Sequence, residues 1–216
     1  MNLKFVDGTE YPIGKSSITE LAIPTNWEYQ NQEEIKDGYF HIADVTNQEE
    51  INEISSIPEL GGIRVNRLQR VENWNLYRRY QIMKADVTAA VQKYKPGTQV
   101  ERRLFHGTDS SKVAGICKNG FDRDYSGTAT GSAYGTGTYF AVKAELSRRY
   151  GHALLLVRVL TGISGASSGS NQPNLSNIPG SQDERIHSAV DNISNPSMYI
   201  VSNDNSAYPE YIIHLS

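Results

Sequence analysis

A histidine in the stretch LFHGTDSS, residues 104–111, raises the first chemical question of this sequence. His106 follows two apolar residues and precedes a glycine and small polar residues, as at the end of a β-strand that opens into a loop. A histidine in such a place can bind a ligand through a ring nitrogen. It can equally be a core histidine whose hydrogen bonds are satisfied inside the protein. The residue alone leaves both interpretations open.

The other short motifs are weak. The Gly-rich stretch from Gly127 to Gly137 suggests phosphate binding, but Phe140 stands where a dinucleotide fingerprint needs glycine, and the Gly-Lys-Ser/Thr of a P-loop is missing. The letters GASSG at 165–169 fit a nucleophile elbow, but no helix is predicted after them. The sequence has no histidine pair at metal-ligand spacing, and its lone cysteine, Cys117, is interpreted as a small buried hydrophobe. We therefore expect no metal, and any chemistry must combine residues far apart in the sequence.

The elements that would position such residues are short strands and helices in mixed order. Helices are predicted at 46–57, where Thr46 and Glu49 have the spacing of a capping box, and at 73–94 before KPG. Residues 163–184 are rich in Gly, Ser and Asn and predict a flexible loop. Strands are predicted at 63–71, RRLFHG, TYFAV, HALLLVRVLTG, MYIVSN and AYPEYIIHL. This mixture favours the α+β class.

The N-terminus and the overall charge narrow the class of protein further. Residues 1–23 alternate apolar and polar around Asp7 and Gly8, which predicts a hairpin or a pair of short strands. A net charge of −3 argues against nucleic acid as a bulk ligand. The N-terminus lacks the apolar run of a signal peptide and nothing approaches a membrane span, so we expect a cytoplasmic or nuclear protein. The N-x-S/T matches at Asn174 and Asn192 then carry little weight.

The order of several segments resembles the catalytic domain of the poly(ADP-ribose) polymerase family. These segments are, in order, LFHGT, NGF, GTGTYFA, LSRRY, RVLTG, SAVD and PSMYIVSNDNSAYPEYIIHL. Each is weak alone, and their shared order carries the resemblance, which is closest to the mono-ADP-ribosylating branch whose members often carry macrodomains. It implies an α+β ADP-ribosyltransferase fold of two packed, mostly antiparallel sheets with flanking helices around an NAD cleft. It also implies a catalytic domain over 24–216, with 1–23 as an unassigned extension.

The resemblance further implies which residues hold NAD, the co-substrate. His106 would bond a ribose hydroxyl, and the backbone of Gly107 would bond the nicotinamide carboxamide. Tyr139 and Tyr150 would stack on the two faces of the nicotinamide ring, while Ser147 would bond the carboxamide oxygen. With these partners, His106 is expected to face a ligand.

Two further positions complete the predicted NAD site. Thr108 is expected to reach the adenosine ribose. Tyr125 lies in the loop over 122–135 that would cover NAD, and it is expected either to stack on NAD or to lie on the surface.

Met198 is the main departure from the polymerase pattern, because a polymerising member has glutamate at the matching position. That carboxylate would stabilise the positive charge that develops as nicotinamide leaves, and it would activate the hydroxyl of the next ADP-ribose. Methionine has no charge and only a weak acceptor, so chain growth should be lost. Transfer should be slower by about 10²–10³, unless an acceptor carboxylate supplies part of the charge. Glu210, on the last predicted strand, is interpreted as structural.

These residues together predict an enzyme. We expect it to transfer a single ADP-ribose from NAD to a side chain of an acceptor protein, with itself as a further candidate acceptor, and to release nicotinamide. The alternative is a pseudoenzyme that binds NAD or ADP-ribose without transfer, and Met198 is the residue that favours it.

Overall fold

A computed structural model describes most of the chain. The described residues are 2–4, 10–12, 21–31, 35, 38–122, 133–169, 172–174 and 176–215. Tyr125 and most of the loop predicted to cover NAD lie outside these residues, so that prediction stays a prediction.

Strands and helices alternate irregularly along the described chain. The strands are β1 (Asn2–Lys4), β2 (Glu10–Pro12), β3 (Phe40–Asp44), β4 (Val65–Asn73), β5 (Glu101–Thr108), β6 (Thr138–Ala141), β7 (Ala153–Leu160), β8 (Ser164–Ala166), β9 (Ser188–Val190), β10 (Met198–Val201) and β11 (Ala207–Leu215). The helices are α1 (Gln48–Ser55), α2 (Trp74–Tyr94), α3 (Ser110–Asn119) and α4 (Ala144–Ser147), with 3₁₀ turns at Pro58–Leu60, Arg148–Tyr150 and Asp204–Ser206. The predicted α+β class is confirmed.

One large sheet organises the domain, with strand order β3-β4-β11-β7-β5-β6-β10-β9-β8. Every neighbouring pair is antiparallel except β8 with β9. The sequence predicted two packed sheets, and the structure corrects this, because β5 and β6 join the two halves into one sheet. They do so through a single register pair, Phe105 with Ala141. A contact of one residue pair leaves no periodicity that a sequence pattern could reveal.

The N-terminal residues form a separate two-stranded sheet. β1 and β2 pair antiparallel, with Leu3 opposite Tyr11, so the described part of residues 1–23 contains a pair of short strands. The domain boundary at residue 24 stays a prediction.

Hydrogen bonds from a single side chain determine where the helix α1 begins. The predicted capping box of Thr46 and Glu49 is wrong, because α1 is capped by Asn47. The Asn47 side-chain oxygen accepts from the backbone N–H groups of Glu49 and Glu50 at 2.8 and 3.1 Å, which satisfies two donors of the first turn. The helix predicted at 73–94 is confirmed as α2, within one residue.

The prediction of a flexible loop over 163–184 is wrong for the described part of that segment. β8 pairs in parallel with β9, and Ile178 is buried in the apolar core. The backbone N–H of Ile186 donates to Ser176 O at 3.0 Å, so the turns are held to neighbouring chain. Gly, Ser and Asn suit tight ordered turns as well as flexible linkers, and composition alone cannot separate the two.

Both faces of the large sheet are covered. Leu155 and Val157 of β7 are buried in the same cluster as Cys117 of α3, whereas Leu154 and Leu156 belong to a cluster on the opposite face. Burial raises the pKa of the Cys117 thiol to about 12, which agrees with its interpretation as a buried hydrophobe.

Glu210 lies in an ion-pair network on β11. Its carboxylate accepts from Arg103 Nε and Nη2 at 2.8 and 2.9 Å and from Arg158 Nε at 2.8 Å, and the residue is only 6% exposed. Two arginines on two neighbouring strands therefore share one carboxylate, which agrees with the structural interpretation of Glu210.

Replacing Glu210 with glutamine is expected to lower the free energy of unfolding by about 2–4 kcal/mol, because two arginines lose a mostly buried carboxylate. The activity of the folded protein should not change. Urea unfolding measures the stability, and Arg67→Gln is the control because its ion pair with Asp44 is exposed, so its loss should change the free energy of unfolding far less. A loss of activity at unchanged stability would contradict the structural role.

Candidate active site

A cleft opens where β5 and β6 stop pairing. The strands are antiparallel and meet only at Phe105 and Ala141, so residues after Phe105 face residues before Ala141. Residues 106–108 therefore border one side of the opening, and Tyr139 borders the other. The fold thus brings together residues that are far apart in the sequence and that the resemblance assigned to NAD.

Met198 lies on the same face of the sheet as Tyr139. The register places Met198 opposite Ala141 and Ile200 opposite Tyr139, and residues directly opposite each other share a face. Met198 is 9% exposed. The position that holds glutamate in the polymerase pattern is therefore on the strand next to the predicted stacking tyrosine.

The His106 ring is held between aromatic side chains and one carbonyl. Its centroid lies 5.1 Å from that of Phe121 and 5.6 Å from that of Phe140. Nδ1 lies 2.9 Å from Tyr139 O, and a carbonyl only accepts, so Nδ1 carries the hydrogen. Burial lowers the pKa of His106, opposed by this hydrogen bond and assisted by Lys112. The ring is therefore neutral near pH 7, and Nε2 keeps a lone pair that can accept from a hydroxyl.

A cavity of about 400 Å³ adjoins His106 on the side of α3. Thr108 of β5 and Thr138 of β6 line it together with Lys112 and Ile116 of α3. This volume lies within the range of small-molecule sites, and its mixture of apolar, hydroxyl and cationic groups suits part of a nucleotide.

Gly107 is in direct backbone contact with Ser147. A Cβ atom on Gly107 would lie 1.8 Å from Ser147 O, so no other residue fits without a shift of the backbone. The family resemblance explained this glycine by the close approach of NAD. The contact with the Ser147 backbone is a second reason why a side chain does not fit at this position.

The Ser147 hydroxyl already has a partner. The side chain is buried, and its Oγ donates to Phe105 O at 2.9 Å. A hydroxyl has one hydrogen to donate, so the predicted bond to a carboxamide oxygen would require Ser147 to release Phe105. In the present arrangement its lone pairs can accept from an amide N–H.

The peptide groups of Gly107 are the groups that the resemblance assigns to the carboxamide of NAD. The Phe105 carbonyl accepts from the Ser147 hydroxyl, and backbone groups two residues apart in a strand point the same way, so the Gly107 carbonyl is expected on the same edge of β5. The pairing of the Gly107 N–H and C=O with a carboxamide stays a prediction.

The two predicted stacking tyrosines differ in how firmly they are held. The Tyr139 hydroxyl donates to Gly135 O at 2.6 Å and accepts from the Tyr134 N–H at 3.0 Å. Burial is the main cause that raises the pKa of Tyr139, so the phenol is neutral at pH 7. Tyr150 is 50% exposed, so its ring can adjust to a ligand. The nicotinamide sandwich between them stays a prediction.

Asp191 is a residue of this region that the sequence reading missed. Its carboxylate accepts from the backbone N–H groups of Ser197 and Met198 at 2.9 and 3.0 Å, which fixes the start of β10. Burial raises its pKa, but the hydrogen bonds outweigh burial and the net pKa is lowered, so the carboxylate is charged. The available signal was an acidic residue before a short loop of Asn, Ser and Pro.

If the chain has the NAD-dependent activity that the resemblance implies, that activity should fall at acid pH, with a midpoint below the ordinary histidine pKa. Protonation would place a hydrogen on Nε2 of His106 and remove its acceptor, and the pKa of His106 is lowered from 6.5, so the neutral form persists below that pH. A profile of kcat/KM for NAD from about pH 5 to 8 measures this, with the exposed His41→Gln as a control that keeps the profile. An acid limb above 6.5 would contradict the assignment.

Comparison with known proteins identifies the family. The family model for the poly(ADP-ribose) polymerase catalytic domain matches residues 45–216. The chain belongs to this family, and the resemblance seen in the sequence is confirmed.

Similar curated proteins carry names from the mono-ADP-ribosylating branch. Protein mono-ADP-ribosyltransferase PARP14 of Homo sapiens is 30% identical over 218 residues, which cover 95% of this chain and 12% of that protein. PARP12 of Mus musculus, with the same activity in its name, is 30% identical over 99% of this chain and 31% of its own length. PARP10 of Mus musculus is 36% identical over 71% of this chain and 16% of its own length. The chain thus spans less than a third of each of these relatives. No helix in the described part of the chain is long and apolar enough to cross a membrane.

Proposed function

We propose that this domain transfers a single ADP-ribose from NAD to a side chain of an acceptor protein and releases nicotinamide. The observation that supports the proposal is the end of pairing between β5 and β6, with His106 and Gly107 following Phe105 on one strand and Tyr139 preceding Ala141 on the other. Membership of the family and the names of the relatives support ADP-ribose transfer in general. The acceptor protein, self-modification and a cytoplasmic or nuclear location are parts of the proposal.

NAD would occupy the cleft across both sides of the opening. Nε2 of His106 would accept from a ribose hydroxyl, and the cavity near Thr108 would take the adenosine half. The Gly107 peptide groups would pair with the carboxamide, and the nicotinamide ring would lie between Tyr139 and Tyr150. Both hydrogen bonds of the Tyr139 hydroxyl fix its ring before NAD arrives, which lowers the entropic cost of binding.

The chemical step would break the bond between nicotinamide and the anomeric carbon of its ribose. Nicotinamide leaves with the bonding electron pair and positive charge develops on the ribose, next to a Met198 that offers no charge. An acceptor carboxylate would supply both the negative charge and the electron pair of the new bond. An acceptor hydroxyl, as in chain growth, would need a base to remove its proton. Met198 cannot remove it, so the reaction should stop after one unit.

A pseudoenzyme that binds NAD without transfer is the second candidate, and the uncharged, mostly buried Met198 is the observation that favours it. Incubation with NAD labelled in its adenosine half separates the two. Protein-bound label that is absent after His106→Ala would support transfer. A thermal shift on addition of NAD without any bound label would favour the pseudoenzyme.

Replacing Met198 with glutamate is expected to raise NAD turnover at least about tenfold, because a carboxylate next to the ribose stabilises the developing charge. Product chains should still have one unit, since elongation also requires a site for the ADP-ribose acceptor. Nicotinamide release measures turnover, and Met198→Gln, of similar size but uncharged, is the control. An equal rise in both variants would show that charge at this position is not the cause.

A further inference from the structure

We propose that Asn174 is a positioning residue for Tyr139. It would act through the turn formed by residues 134–136, whose backbone holds the Tyr139 hydroxyl. The kinetic part of this inference rests on the proposed function, while its structural part does not. The residue comes from the segment whose composition predicted a flexible loop, and an N-x-S/T match was the only sequence signal at this position.

A chain of hydrogen bonds runs from Asn174 to the phenol. Asn174 Nδ2 donates to Tyr134 O at 3.1 Å, and the Tyr134 N–H donates to the Tyr139 hydroxyl at 3.0 Å. The hydroxyl in turn donates to Gly135 O at 2.6 Å. Both hydrogen-bond partners of the Tyr139 hydroxyl are thus backbone atoms of the turn. The Asn174 side-chain amide binds the same turn through the Tyr134 carbonyl.

The Asn174 side chain is itself fixed. It is 7% exposed, and its Oδ1 accepts from the Ser168 N–H at 2.7 Å, which determines which end of the amide faces Tyr134. Gly135 has φ +96°, and a Cβ atom there would lie 2.5 Å from Asn174 Nδ2. The turn therefore packs directly on this amide, and the left-handed backbone of Gly135 allows the close approach.

The backbone around Asn174 provides a second link that would survive a side-chain change. The Thr136 N–H donates to Gln172 O at 2.9 Å, and Thr136 forms an isolated parallel bridge with Pro173. Loss of the Asn174 amide should therefore loosen the turn without releasing the whole segment. Asn174 also lines a cavity of about 330 Å³ beside α2 and β9, so a shorter side chain would let water reach the Tyr134 carbonyl.

The expected consequence is a loss of preorganisation at the nicotinamide ring. Without a fixed turn, the Tyr139 ring would sample other orientations and would have to be ordered when NAD binds. Asn174→Ala should raise the KM for NAD about tenfold, with a smaller change in kcat. Asn174→Asp keeps the shape and the bond from Ser168 but cannot donate to Tyr134 O, so it should produce the same change with less risk to folding.

The test is a double-mutant cycle with two readouts in the intact chain. Asn174→Ala and Asn174→Asp are each combined with Tyr139→Phe, which keeps the ring but removes the hydroxyl. The readouts are the kinetic constants for NAD and the hydrogen-exchange rate of the Tyr134 amide. Asn177→Ala is the matched control, because Asn177 lies in the same segment and its Nδ2 donates to Gln182 O on the exposed side.

The inference predicts that the Asn174 variants speed exchange of the Tyr134 amide about tenfold and raise the KM for NAD, and that both effects largely disappear in the Tyr139→Phe background. Unchanged exchange, or an equal loss in both backgrounds, would overturn it and leave Asn174 with a general structural role. The exchange readout needs no NAD. A wild type that transfers nothing would therefore contradict the proposed function while the exchange data still decide the role of Asn174.

Discussion

Replacing His106 with alanine is expected to reduce ADP-ribose transfer at least about a hundredfold. The ring supplies a neutral nitrogen acceptor at Nε2, and the bond between Nδ1 and Tyr139 O fixes its orientation. Alanine removes that acceptor and also leaves a gap between Phe121 and Phe140. Label bound to protein after incubation with NAD measures the loss, and circular dichroism establishes that the variant is folded.

Two further variants separate the chemistry of His106 from its packing. His106→Gln fills part of the gap and offers an amide oxygen as acceptor, so it should recover part of the activity. His41→Ala removes a histidine that pairs with Glu28 at the surface, and it should leave transfer unchanged. If His106→Ala transferred ADP-ribose at the wild-type rate, the ligand-facing assignment would be wrong and the core interpretation of this histidine would stand.

Replacing Gly107 with alanine is expected to abolish transfer and to lower the free energy of unfolding by about 3 kcal/mol. The new Cβ atom would overlap Ser147 O, and both atoms belong to the main chain, so β5 or α4 must move. That movement would separate the Phe105 carbonyl from the Ser147 hydroxyl and displace the peptide groups predicted to hold the carboxamide. Urea unfolding and labelled NAD measure the two effects.

Gly115→Ala is the matched control for stability. Gly115 lies within α3 and an added Cβ atom there meets no neighbour, so alanine should stabilise the protein by about 0.4–1 kcal/mol through its better helix propensity. Changes of opposite sign in the free energy of unfolding of the two variants would confirm that the space around each glycine, and not the loss of a glycine as such, determines the effect on stability. A Gly107→Ala variant with wild-type stability would refute the close contact with Ser147.

The sequence could predict which distant residues the fold brings together better than it could predict the sheet. His106, Tyr139 and Ser147 were assigned through ordered motifs, and the fold brings the first two to opposite sides of one opening and places the third against Gly107. What the motifs could not show is how each side chain is already engaged. The Ser147 hydroxyl donates to Phe105 O, and the Tyr139 hydroxyl donates to Gly135 O. Both acceptors are backbone carbonyls, which every residue type has, so the sequence could not indicate these bonds.

The misjudged elements share a physical cause. The capping box at Thr46 failed because Asn47, one residue later, reaches two backbone N–H groups. The loop over 163–184 was misjudged because its order comes from long-range backbone bonds and from Asn174. Local patterns predicted α2 well, since its periodic apolar face and stop signal are local. They could not predict contacts that only the complete sheet creates.

We propose that this domain transfers one ADP-ribose and then stops. Mass spectrometry of acceptor peptides after prolonged incubation with excess NAD distinguishes single transfer from chain growth. Every modified side chain should carry a single ADP-ribose, however long the reaction runs, and His106→Ala should give none. A series of products with two or more units on one side chain would contradict the role of Met198. Complete absence of modification, with NAD still bound, would contradict transfer itself.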